Sequence, residues 1–142
     1  MEEKQKKELH LYPAVFNYEE HGITVGFIDI PGAMSFANTE EEAVLAAKHI
    51  LAQKICIIEE EGGEFPKPTP LSEVRLRSMQ RVFQIDVWMP YYRARRKPQC
   101  AKKTLTIPSW LNVLAEHNNV NFSALLRKAL MQQLGVVDKD RF

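Results

Sequence analysis

The stretch Lys102-Lys103-Thr104-Leu105-Thr106-Ile107-Pro108 decides how the end of this 142-residue chain is read. Leu105 and Ile107 alternate with Thr104 and Thr106, so one face can turn inward while Lys102, Thr104 and Thr106 project to the other side. The alternation predicts a half-exposed strand. Pro108 cannot extend a ladder but suits a helix start, and Ser109 is placed to cap a helix over Trp110 to Glu116. Asn118-Asn119-Val120-Asn121 signals a turn. From Phe122 onward Leu126, Ala129, Leu130 and Leu134 recur at helical spacing until Gly135, a residue suited to ending a helix. The tail is expected to run strand, helix, turn, helix.

A segment of about forty residues rarely buries enough apolar surface alone, and dimerisation is one remedy. Two such strands paired antiparallel form a ribbon that fits the major groove of DNA. Thr104-Leu105-Thr106-Ile107-Pro108, then Trp110-Leu111, then Asn121-Phe122-Ser123-Ala124-Leu125-Leu126-Arg127, resembles a ribbon-helix-helix repressor domain over roughly Lys102 to Val137. The resemblance implies base contacts from Lys102, Thr104 and Thr106, and a phosphate held by backbone N–H groups at Asn121, Phe122 and Ser123. Lys103 departs from the family, which usually has an apolar residue there. Without the resemblance, the same residues read as an ordinary edge strand and helical hairpin.

Charge is unevenly spread. Residues 1–90 hold 9 Lys and Arg against 15 Asp and Glu, and residues 91–142 hold 10 against 3, although the whole chain carries only +1. A basic segment beside an acidic one suits contact with phosphates on one side and with a basic protein on the other. Arg93, Arg95, Arg96, Lys97, Lys102 and Lys103 either add phosphate contacts or form a solvated linker. Pro98 and the absence of apolar periodicity make Tyr91 to Ala101 the expected linker, giving domains over 1–90 and 102–142 joined by 91–101. No stretch approaches a membrane span, and the polar start Met1-Glu2-Glu3-Lys4 has no signal-peptide apolar region, so a cytoplasmic location is expected. Cys56 and Cys100 lie far apart, predicting reduced thiols with Cys56 in the core.

In the first ninety residues, Leu11 to Phe16 and Ile23 to Ile30 read as a hairpin across Asn17 to Gly22. A short strand around Met34 to Ala37 follows the Pro31-Gly32 break. Thr39 with Glu42 is a capping-box signature, and the apolar stripe from Ala43 to Ile58 predicts a helix ending near Gly62-Gly63. Phe65 to Pro70 is a proline-rich connector, Leu71 to Val74 a turn, and Val82 to Val87 the last strand. The order is β-β-β-α-β.

Ile28-Asp29-Ile30-Pro31-Gly32, followed by Thr39-Glu40-Glu41-Glu42-Ala43 and an alanine-bearing helix, resembles the amino-terminal domain of HicB-type antitoxins. The closing run from Val82 to Tyr92 fits as well. With the tail, this resemblance spans nearly the whole chain in the family's order; Ala33 departs from it, where many members carry cysteine. It implies an α+β chain: a truncated RNase H-like domain joined to a ribbon-helix-helix domain. It also implies an antitoxin that occludes HicA, a small mRNA-cleaving toxin, and represses its own operon as a homodimer, or as a tetramer when two dimers meet a two-part operator. Tyr12, Phe16, Tyr18, Glu19 and Glu20 are the candidates for toxin contact if the outer face of the first hairpin is free.

An RNase H-like fold ordinarily cuts RNA with clustered carboxylates and two magnesium ions, for which Asp29, Asp86 and one of Glu40 to Glu42 are the candidates. Asp29 sits late on its strand and the glutamates suit an acidic first helical turn, so the chain is not expected to be an enzyme. His10, His21, His49 and His117 are scattered, and no serine stands beside a visible partner, so neither a metal nor a cofactor is expected. Two other functions fit the same sequence. One is an orphan repressor whose amino-terminal domain binds another protein or ligand; the other is a binding module that uses the tail only to dimerise.

Overall fold

The computed structural model describes residues 6–97 and 99–137. The chain divides into two compact units between Lys97 and Pro98. The first unit contains β1 (Leu9–Glu19), β2 (Gly22–Phe27), β3 (Met34–Ala37), α1 (Glu40–Glu61), β4 (Gln80–Trp88) and α2 (Met89–Arg96). The second contains α3 (Ser109–His117) and α4 (Phe122–Leu134).

The four strands form one antiparallel sheet in the order β3-β2-β1-β4. Alternate residues point to one face, and in β1 these are His10, Tyr12, Ala14 and Phe16, all buried. Their partners Val25, Phe27, Ile85 and Val87 continue the same face. α1 lies on it with Ala43, Ala47, Leu51, Ala52, Ile55 and Cys56. Small alanines let the helix approach closely, while burying each of Phe16, Leu51 and Ile55 contributes roughly 1.5–3 kcal/mol.

The predicted order of strands and helix is present, but β1 and β4 are longer than expected and β2 is shorter, ending at Phe27 so that Ile28 to Ile30 lie outside it. Asn17 to Glu19 belong to β1, and only Glu20-His21 separates it from β2. Polar side chains there concealed strand that the ladder itself extends. A Cβ at Gly22 would lie 2.3 Å from the Phe36 ring and 2.7 Å from the Ala37 carbonyl oxygen. Only glycine fits at that crossing.

α1 is punctuated as expected. The Thr39 side chain accepts the Glu42 N–H at 3.2 Å, and Glu42 accepts the Asn38 N–H at 3.1 Å, one residue before the usual reciprocal partner. Gly62 closes the helix at φ 68°. Three prolines then leave the connector few backbone donors, and side chains tie it down. Tyr12 Oη donates to the Pro66 carbonyl at 2.6 Å, Phe65 packs on His10, and Thr69 donates through its N–H and hydroxyl to Asp29.

Residues 91–96 correct the sequence reading, because they are helical and belong to the first unit. Pro90 lies in the first turn, where its missing N–H costs nothing, and Arg93, Arg95 and Arg96 suit the negative carboxyl end. Met89 is fully buried and anchors the start. Eight residues are too few to display a helical period, so the basic side chains alone were legible. Moving them shrinks the charge contrast: residues 1–97 hold 13 Lys and Arg against 15 Asp and Glu, and 98–142 hold 6 against 3.

Candidate interaction surfaces

In the second unit the predicted helices and turn are present. Asn121 caps α4, its side-chain oxygen accepting the Ala124 N–H at 3.0 Å, and Gly135 ends it in the left-handed conformation at φ 65°. Asn119 takes φ 53° in the turn, a conformation asparagine tolerates. Ser109 does not cap α3. It is the first helical residue, Pro108 occupies the capping position, and no side chain bonds there.

Lys102, Thr104 and Thr106 do not form a strand in the single chain. A strand is defined by bonds to a neighbour, and among the described residues none pairs with this stretch. Leu105 and Ile107 are accordingly 62% and 41% exposed. Trp110, Val113, Leu125 and Leu134 are exposed too, and no described residue of this unit is buried. An apolar surface of this extent on a small unit marks an interaction face. Asn121, Phe122 and Ser123 sit exposed at the start of α4, where unpaired N–H groups and the helix dipole favour an anion.

The basic run before this unit is largely engaged. Arg93 donates to Glu59 and to the Lys7 carbonyl, Arg96 pairs with Glu60 at 3.0 Å, and Arg95 reaches over Tyr91. Arg93 and Arg96 hold α2 on α1, which corrects the alternatives of phosphate contact or solvated linker for these two.

In the first unit Tyr12 and Phe16 are not on a free outer face. They are 2% and 1% exposed and lie in the core, because the face of β1 that carries them meets α1. Leu9 and Leu11, on the other face, are apolar as well, so alternation did not reveal which side turns inward. Tyr18 is half-buried and donates its hydroxyl to Glu40 at 2.8 Å; burial, then this bond, raises its pKa. Glu19 accepts from Asn17 and Thr24 on the opposite face, and Glu20 is exposed in the turn.

Of the carboxylates considered for catalysis, all but the exposed Glu41 are engaged elsewhere. Asp29 accepts both Thr69 bonds, Asp86 lies 3.5 Å from Lys48, and Glu40 and Glu42 hold Tyr18 and Asn38. Among the described residues no three His, Cys, Asp or Glu side chains are placed to hold a metal. No described helix is long and apolar enough to cross a membrane.

One surface escaped the sequence reading. Tyr18, Glu40, Ser78, Met79, Arg81 and Phe83 line a depression of about 440 Å³ between β4 and the start of α1. Phe83 shares the inward face of Ile85 and Val87 and packs tilted against Phe16, the ring centroids 4.6 Å apart, yet remains 39% exposed. Its spacing marks the face; only the path of α1 leaves it open.

No family model and no curated protein matches this chain. Among solved structures it is similar to a chain of a toxin-antitoxin complex from Streptococcus pneumoniae, at 23% identity and a TM-score of 0.56, covering 88% of this chain and 99% of that one. A chain of a HicA3 and HicB3 toxin-antitoxin complex is 22% identical, with a TM-score of 0.45 and coverage of 54% and 95%. The crystal structure of antitoxin HicB3 is 20% identical, with a TM-score of 0.49 and coverage of 90% and 100%. The chain of the Streptococcus pneumoniae complex and this one share a mixed α/β fold.

Proposed function

We propose that this chain is a HicB-type antitoxin that binds and occludes a HicA-type mRNA-cleaving toxin through a truncated RNase H-like first unit and represses its own operon through a ribbon-helix-helix second unit. The observation that carries the reading is the second unit itself. Asn121 caps α4, Asn119 makes the turn before it and Gly135 ends it, and Leu105, Ile107, Trp110, Val113, Leu125 and Leu134 stand exposed for a second copy to cover. Fold similarity along 88% of the chain to one protein of a toxin-antitoxin complex supports both units together.

Two copies pairing across Thr104 to Ile107 bury Leu105 and Ile107 and turn Lys102, Thr104 and Thr106 toward base edges, while Asn121, Phe122 and Ser123 hold a phosphate. The first unit acts sterically, so it needs no cofactor, and Tyr18, Glu19 and Glu20 remain its candidate contacts from the first hairpin. An orphan repressor of the same architecture is the second reading. Co-expression with the product of the small open reading frame beside the gene separates the two. A stable complex that relieves growth arrest is expected, and a harmless neighbour that forms no complex overturns the antitoxin role.

A further inference from the structure

β4 is an edge strand, and its outer edge meets no other strand among the described residues. Nine residues run along it without a proline, a charge lies on the inner face only at Arg81, and Phe83 stands exposed at its centre. Soluble proteins usually blunt such an edge, because its unpaired N–H and C=O groups template the pairing of another strand. The depression lined by Phe83 and Met79 lies beside this edge.

The shape follows from the path of α1. The helix starts directly after β3 at one side of the sheet, and its last turns pair with α2 through Glu59 and Glu60 at the other. It therefore crosses obliquely and leaves the first half of β4 uncovered on the inner face. The Lys48–Asp86 ion pair marks where helix and edge strand come together. Above it the gap is open, with an apolar floor.

Its electrostatics select the occupant. Glu40 lines the gap, and Glu41 and Glu42 share its helical turn. The only cation among the described residues of the lining, Arg81, directs Nη1 to the Ser78 and Gln80 carbonyls. We propose that an extended segment of the toxin adds to β4 as a fifth strand, seats one apolar side chain against Phe83 and Met79, and sets Lys or Arg beside Glu40 and Glu41. Main-chain pairing supplies adhesion in this mode and the pocket supplies selectivity. The inference rests on the antitoxin reading and names the surface through which it works.

The test uses the full chain co-expressed with the small neighbouring protein, comparing Met79→Asp with Met34→Asp. Met34 lies on the opposite face of the sheet and the two are 60% and 65% exposed, so neither substitution disturbs the core; equal thermal midpoints verify this. Met79→Asp is expected to weaken the complex roughly tenfold or more and Met34→Asp to leave it unchanged, as at the centre of an interface and outside it. Glu41→Lys is expected to slow association and flatten its salt dependence. A complex unaffected by Met79→Asp, or lost equally in both variants, overturns the groove and leaves the antitoxin reading standing. Absence of a complex with the unaltered chain overturns both.

Discussion

Arg93 is bound to Glu59 by two side-chain hydrogen bonds, Nε to Oε2 at 3.0 Å among them, and the two side chains are only 23% and 10% exposed. The pair joins the end of α1 to α2, and the same guanidinium reaches the Lys7 carbonyl, so three segments meet at one side chain. Replacing Arg93 by alanine strands a nearly buried carboxylate. We expect a loss of about 2–3 kcal/mol, the range for a charged hydrogen-bonded group left unpaired. Glu59→Gln, which keeps an acceptor, should lose less; urea denaturation of both variants measures the difference.

His10 gives stability a dependence on acidity. Its ring is 1% exposed, Nε2 has no hydrogen-bond partner, and burial followed by the nearby Lys7 charge lowers its pKa. The folded state therefore holds the neutral ring and the unfolded chain binds the proton more readily. The stabilisation is fully present above the ordinary histidine value of about 6.5 and disappears as pH falls through the lower, folded value. His10→Phe preserves an aromatic ring against Phe65 and should flatten the pH dependence of the thermal midpoint between pH 7.5 and 5.5, taken as about one unit either side of the unfolded value. An unchanged slope would assign the sensitivity to other groups.

Gly22→Ala should cost about 1–3 kcal/mol, since an added Cβ cannot coexist with the Phe36 ring or the Ala37 carbonyl where they now lie. Adding Phe36→Ala should recover part of the loss and no more, because the carbonyl belongs to the backbone of β3. Full recovery in the double variant would show that the ring alone forbids a side chain there.

Thr104→Ala and Thr106→Ala should each weaken operator binding by about 1–3 kcal/mol while leaving the dimer and the toxin complex intact. Gel-shift titration paired with sedimentation separates the effects. Loss of the dimer instead would assign these hydroxyl-bearing residues a structural role.

Legibility differed by element for physical reasons. α1 and α4 were readable because each begins with a side chain that captures a free N–H, Thr39 or Asn121, and ends with a left-handed glycine, Gly62 or Gly135. α2 was not, since Met89 and Tyr92 are too few to trace a stripe among arginines. The inward face of β1 was ambiguous because Leu9 and Leu11 are as apolar as Tyr12 and Phe16; burial of a histidine on that face is no sequence rule. The gap beside Phe83 arises from the angle at which α1 crosses the sheet, a tertiary property. The strand expected at Thr104 to Ile107 is absent from the single chain, because alternation of side chains marks a face but supplies no neighbour to pair with.

Under the proposed function the second unit, which buries none of its described side chains, folds in a bimolecular event. Its stability then carries units of concentration: dilution alone dissolves the ordered arm, while the first unit, with its own core, persists. Under the proposed function, operator occupancy falls faster than the amount of chain, and growth and proteolysis thin out repression before they exhaust the capacity to restrain a partner.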